Sequence, residues 1–380
     1  MLYKNAYVFT PDHGFQFGGF KVENGRFAEV FQGDCIEDGI DLAQRYVIPG
    51  LVDIHIHGAV GADFSDGNAD GLRRMASFLA ENGVTSFLPT SMTLPYDTLA
   101  KAFETAKEFM EQPAKNAARV LGVHMEGPFF SEKKRGAQNA AYLKEPDAAA
   151  FRSLFDGCDG AVRIVDVAPE LPGAERFAKE VSSYCKVSVA HTDAAYEDAV
   201  AVFAGGARHV THLFNAMPPI HQRKPGVIGA ASERDDVVAE LICDGQHIHP
   251  SIVRMAFRLF PSRICLISDA LRCCGMPNGE YELGGQTVTL KDSVARLSDG
   301  TIAGAASHLF DDLRNAVAFG IPMREAIRAA TLLPAKEAGY EKELGSIEKD
   351  KFADFIVCDS ELHLLQVYLG GQALQKEDTQ

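Results

Sequence analysis

Residues 46–58 read Tyr-Val-Ile-Pro-Gly-Leu-Val-Asp-Ile-His-Ile-His-Gly, an apolar run that ends in two histidines one residue apart. A run of this kind predicts a buried strand over 46–56, and the flanking sequence decides its context. Seven more apolar runs follow, at 84–89, 120–125, 162–167, 187–190, 209–213, 238–243 and 264–267. Amphipathic segments at 70–81, 96–111, 174–183, 196–203 and 251–260 lie between most of them. Strand and helix therefore alternate, and eight such units in about 280 residues predict an α/β fold, a (β/α)8 TIM-like barrel. After the eighth run, 279–304 reads as an inserted pair of β-hairpins, and helices over 311–319 and 324–332 close the barrel.

The two ends of the chain have a different texture. Short strands at 6–10, 20–22 and 26–30 are separated by Gly, Asp and Asn, and similar stretches recur at 353–358 and 365–369. They predict a small β-sandwich domain formed from both chain termini, 1–48 plus 346–380, beside a barrel domain spanning 49–345.

Charge narrows the partners. Lys and Arg number 37 against 52 Asp and Glu, a net charge of −15, which leaves no electrostatic footprint for nucleic acid. An anionic membrane surface would repel such a chain. No stretch approaches the roughly 20 apolar residues of a membrane helix. The opening residues, Met-Leu-Tyr-Lys-Asn, lack an apolar signal core, and the eight cysteines form no C-x-x-C pair. Both features predict a cytoplasmic protein with reduced thiols.

The ends of the apolar runs carry the chemistry. His55 and His57 end the first, His124 and Glu126 the third, His191 and Asp193 the fifth. His212 and Asn215 end the sixth, Asp244 and His247 the seventh, and Asp269 the eighth. A lone histidine at a strand end is commonly a structural hydrogen bonder, and Asp269 alone reads equally as a helix cap. In a barrel, however, all these ends meet on one rim. Histidines at i and i+2 share a face, and together with carboxylates they predict a divalent metal site. Zinc, iron, cobalt and manganese all suit such donors.

The stretch Pro49-Gly50-Leu51-Val52-Asp53-Ile54-His55-Ile56-His57-Gly58 resembles the opening motif of the amidohydrolase superfamily. Residues 122–129 (GVHMEGPF), 212–218 (HLFNAMP), 225–230 (PGVIGA), 242–247 (ICDGQH) and 268–270 (SDA) resemble its N-acetylglucosamine-6-phosphate deacetylase family, and the resemblance spans essentially the whole chain. It implies a metal held by Glu126, His191 and His212, with zinc favoured. The family uses this glutamate where many superfamily members bridge two metals through a carboxylated lysine. Retention of His55 and His57 makes a second ion chemically feasible, so one or two ions per subunit are expected. Asp269 would be the catalytic base and acid. Ala137, Gln138, Asn215, Ala216, His247 and the stretch Ile302, Ala303 and Gly304 would meet the substrate. Gln138 stands where some members carry a histidine. It offers a hydrogen bond to a substrate oxygen without a proton charge. Arg223 would reach the phosphate of the neighbouring subunit in a homodimer.

The activity so implied is hydrolysis of the acetamide of N-acetylglucosamine 6-phosphate, a step of amino-sugar catabolism. Cyclic-amide hydrolysis or deamination explains the metal ligands but not the phosphate contacts. A non-catalytic sugar-phosphate-binding protein has no need of Asp269. Of the remaining histidines, His221 reads as a solvated loop residue, His249 and His308 as structural or exposed, and His124 as a support behind the ligands.

Overall fold

The computed structural model describes residues 1–375, so the last five residues of the expected terminal domain lie outside the described part. Four strands come first: β1 (Leu2–Thr10), β2 (Gly14–Glu23), β3 (Arg26–Gln32) and β4 (Ile40–Pro49). The barrel strands are β5 (Leu51–Ile56), β6 (Val84–Ser91), β7 (Val123–Met125) and β8 (Val162–Val167), then β9 (Lys186–Val189), β10 (His209–Val210), β11 (Val238–Ile242) and β12 (Ile264–Ile267). Each pairs in parallel with the next. The ring closes where the Asp269 N–H donates to His55 O and the His57 N–H donates to Ala270 O, both at 2.9 Å.

One expected run divides. Residues 46–49 belong to β4, while 51–56 form the first barrel strand. Gly50 is the joint: its N–H donates to Asp354 O at 3.0 Å, and a Cβ there would stand 2.1 Å from Thr85 Oγ1. Apolar residues flank the joint on both sides, so the change of sheet leaves no polar mark. The sixth run is also cut short. After β10 the backbone takes positive φ at His212 (30°) and Phe214 (77°), which ends the strand.

Helices cover the barrel between its strands. In α1 (Ala69–Glu81), Asn68 caps by accepting from Gly71 N, and Leu72, Met75, Ala76 and Leu79 are buried at helical spacing. The helices α2 (Tyr96–Glu111), α4 (Ala174–Val181), α5 (Tyr196–Gly205) and α7 (Pro250–Leu259) match the amphipathic segments. Three others escaped the pattern: α3 (Ala148–Gly157), α6 (Gly226–Ser232) and α10 (Leu332–Glu337). The helices α8 (Leu309–Ala318) and α9 (Met323–Ala330) follow a four-stranded antiparallel sheet made of β13 (Gly279–Leu283), β14 (Gln286–Lys291), β15 (Val294–Leu297) and β16 (Ile302–Ala305).

The described residues end with β17 (Phe355–Cys358), β18 (Leu364–Leu369) and β19 (Gln372–Ala373). These join the first four strands in one sheet of order β19-β18-β17-β4-β1-β2-β3. The strands β3 and β17 are four positions apart, roughly 19 Å in a flat sheet. Yet the rings of Phe27 and Phe355 lie 6.2 Å apart. The sheet therefore curls over its own core of Tyr3, Phe20, Phe27 and Phe355 as a two-layered sandwich.

Candidate metal centre

Three side chains converge from three strand ends. Glu126 follows β7, His191 follows β9, and His212 lies beyond β10. Nε2 of His191 and Nε2 of His212 are each 3.1 Å from Glu126 Oε1 and 3.1 Å from one another. A tetrahedral ion with bonds of about 2.0–2.1 Å separates its ligands by roughly 3.3 Å, so this triangle fits a zinc-sized cation. His191, His212 and Asp269 all hold positive φ (44°, 30° and 50°), a costly conformation outside glycine. It turns the chain sharply at each strand end.

A second group lies alongside. His55 and His57 present Nε2 at 3.5 and 3.3 Å from Asp269 Oδ1. His57 Nε2 is also 3.3 Å from Glu126 Oε2, and His55 Nε2 is 3.7 Å from Oε1. Tautomers are set from behind. Nδ1 of His55 meets Glu240 Oε2 at 2.9 Å, Nδ1 of His57 meets Thr90 O at 3.1 Å, and Nδ1 of His191 meets Lys134 O at 2.9 Å. Each acceptor receives a hydrogen bond from Nδ1–H, so in the neutral ring the Nε2 lone pair faces the site. His55 Nε2 is buried with no hydrogen-bond partner among the described residues, the state of a nitrogen placed for a cation.

Electrostatics agree with that placement. Burial opposes ionisation of Glu126, but hydrogen bonds from His191, His212 and His57 hold its carboxyl well below the usual range. Burial lowers the His212 imidazole, yet the facing Glu126 outweighs it and pushes the pKa up to about 9. A site that attracts protons this strongly attracts a divalent ion for the same reason.

A buried relay behind the site was not expected from the sequence. Glu240, midway along β11, binds His55 through Oε2 and His209 Nε2 through Oε1 at 3.1 Å. His209 Nδ1 meets Glu337 Oε2 on α10 at 2.9 Å, and Lys186 Nζ donates to the same oxygen at 2.7 Å. The His124 ring packs against that of His55 at 4.7 Å, with Nδ1 at Ile54 O and Nε2 at Asp166 Oδ1, both 3.0 Å. A carboxylate in the apolar run 238–243 was the one local signal for Glu240.

The centre opens into a cavity of about 410 Å³. Ala137, Gln138, Asn215, Ala216 and His247 line it, as do Ile302, Ala303 and Gly304. His247 is oriented by Asp244 Oδ2 at 2.7 Å. Lys133, Lys134 and Arg135, which the sequence reading passed over, also border this space. Two expectations need qualification. The amide of Gln138 is turned to protein partners: Nε2 donates to Glu126 Oε2 at 2.5 Å, and Oε1 accepts from Thr93 N at 2.7 Å. Arg223 is exposed and stands outside the cavity of its own chain. His221 is exposed as expected, and His249 caps α7 by accepting from Ser251 N.

A barrel rim that gathers four histidines and two carboxylates around a cation-sized triangle defines a metal-dependent hydrolase of the amidohydrolase type. The chain belongs to the amidohydrolase family, whose model matches residues 46–376. Within that family it is similar to the N-acetylglucosamine-6-phosphate deacetylase of Vibrio furnissii, 33% identical over 355 residues, 92% of this chain and 88% of that one. It is likewise similar to the N-acetylgalactosamine-6-phosphate deacetylase of Escherichia coli O157:H7, 33% identical over 326 residues, 85% of this chain and 86% of that one. A variant of the N-acetyl-D-glucosamine-6-phosphate deacetylase of Mycobacterium smegmatis, solved in complex with N-acetyl-D-glucosamine-6-phosphate, superposes with a TM-score of 0.91 at 29% identity, covering 99% of this chain and 98% of that one. No helix among the described residues is long and apolar enough to cross a membrane.

Proposed function

We propose that the chain hydrolyses the acetamide of N-acetylglucosamine 6-phosphate to glucosamine 6-phosphate and acetate, in amino-sugar catabolism in the cytoplasm. The observation that carries this reading is the ligand triangle of Glu126, His191 and His212 facing Asp269 on a cavity wall, in a chain similar to such deacetylases along most of its length. A divalent ion, zinc by preference, would be held by that triangle, with His55 and His57 available to a second. When bound, the ion supplies Lewis acidity for the amide carbonyl and for water. Asp269 takes a proton from the attacking water as the new C–O bond forms. It returns that proton to the nitrogen as the C–N bond breaks.

Asn215, the Ala216 backbone and His247 line the cavity and would hold the phosphate, and Ile302 to Gly304, which line it too, would meet the sugar. Arg223 serves the neighbouring subunit of a homodimer, and its position outside its own cavity supports this assignment. The barrel over 49–345 carries the reaction, and the terminal unit, 1–48 with residues from 346 onward, anchors its first strand. The Escherichia coli relative, as identical as the Vibrio one, supports a second reading with the galactosamine epimer as substrate.

Acetate release from both epimeric 6-phosphates, from unphosphorylated N-acetylglucosamine and from a cyclic amide tests the proposal. Preferred turnover of N-acetylglucosamine 6-phosphate is the expected result. Preference for the galactosamine epimer selects the second reading, and preference for the cyclic amide overturns both.

A further inference from the structure

The two oxygens of Glu126 have different surroundings. Oε1 faces Nε2 of His191 and of His212. Oε2 faces His57 Nε2 at 3.3 Å and receives the Gln138 amide N–H at 2.5 Å. That amide cannot reverse. Thr93 N is a donor only and points at Gln138 Oε1, so the NH2 end must lie on Glu126. Gln138 is buried, and its N–H atoms are directed to Glu126 Oε2 and towards Met92 Sδ at 4.0 Å.

An ion gripped by His55 and His57 would have two carboxylates to draw on, Asp269 through Oδ1, 3.5 and 3.3 Å from their Nε2 atoms, and Glu126. The Glu126 oxygen nearest to His57 is the one already engaged by Gln138. Sharing it with a donor weakens it as a ligand, and the positive end of the amide dipole points toward the incoming cation. The triangle on Oε1 suffers neither effect. We propose that Gln138 is a positioning residue that makes the metal centre unequal: it preserves the Glu126–His191–His212 site and depresses the affinity of the His55–His57 site. This inference rests on the metal-centre reading but not on the identity of the substrate.

The test is Zn2+ titration of metal-free protein, by competition with a chromophoric chelator and by calorimetry. The wild-type chain should take one equivalent tightly and a second at least about tenfold more weakly, the scale of one charge-assisted hydrogen bond. Gln138→Glu keeps the acceptor for Thr93 N and replaces the donor with a negative oxygen. It should tighten the second equivalent by about tenfold or more. Gln138→Met, of similar length and without a donor, should shift it in the same direction by less. Both gains should vanish when His57→Ala is added, which a general effect on folding would not produce. Equal affinity for both equivalents in the wild type overturns the proposal. So does a second-site affinity within twofold of wild type in both variants. A chain that takes up no Zn2+ in any form overturns the metal centre itself.

Discussion

Asp269 Oδ1 stands 3.3 Å from Nε2 of His57, on the far side of that ring from its anchor at Thr90 O. Burial works against ionisation of Asp269, but the charge of His55 and the hydrogen bond from His57 hold its carboxyl below the ordinary range. The group is therefore a carboxylate at neutral pH and free to accept a proton. Asp269→Asn keeps the shape and removes that capacity. Turnover should fall by at least about 10²-fold with little change in KM. Steady-state acetate release, read beside metal content, decides it, and a rate near that of the wild type leaves Asp269 as a turn residue only.

The two histidine pairs should separate in metal analysis. His191→Ala removes one corner of the 3.1 Å triangle and should abolish both the tightly bound ion and activity. Replacing His55 and His57 together should lower bound metal while sparing the triangle. Loss of all metal in that double variant would mean that the ligands form one site.

Arg223→Ala should reduce kcat/KM for the phosphorylated sugar by about 10–150-fold, the range of lost charge-assisted hydrogen bonds. The unphosphorylated sugar should be nearly indifferent to the change. Mixing Arg223→Ala subunits with inactive Asp269→Asn subunits should restore part of the activity, since some mixed dimers hold one intact site. Equal losses on both sugars would remove the phosphate role, and a fully active monomer would remove the contribution across subunits.

At the far end of the relay, burial disfavours ionised Glu337, but the hydrogen bond from His209 and the charge of Lys186 lower its pKa from 4.5 to about 2. The folded chain thus holds its proton less firmly than the unfolded one. The resulting stabilisation is complete above about pH 4.5 and is lost as pH falls toward 2; it is worth on the order of 3 kcal/mol. Glu337→Gln should be less stable at neutral pH and should show a shallower decline through that acid window. Denaturant midpoints measured across it test this, and parallel declines would place the acid sensitivity elsewhere.

The sequence revealed the rim far better than what lies behind it. His55, His57, Glu126, His191, His212 and Asp269 each close an apolar run, so the barrel rule alone brings them together. Gly50 hid the boundary between two sheets because buried residues stand on both sides of it. Glu240, His209 and Glu337 could not be grouped, since their partners come from β5, β10, β11 and a short helix that leaves no amphipathic trace. The cations at 133–135 went unread for another reason: exposed charges are common, and only the folded loop brings them to the cavity.

The strand that carries the barrel's entrance, β4, pairs Val47 with Val357, and the Gly50 N–H reaches Asp354. Those partners are roughly 300 residues apart, which at ribosomal speeds means a delay of about 15–60 s during synthesis. Until the last strands emerge, one side of β4 is an open edge, the kind of surface on which chains join one another instead of folding. A chain stopped at residue 350 should therefore aggregate on expression although every side chain of the metal centre is present, and a soluble, active product would refute this. On this reading, whether a nascent chain survives its own translation is settled by the arrival of a strand that holds none of the metal ligands.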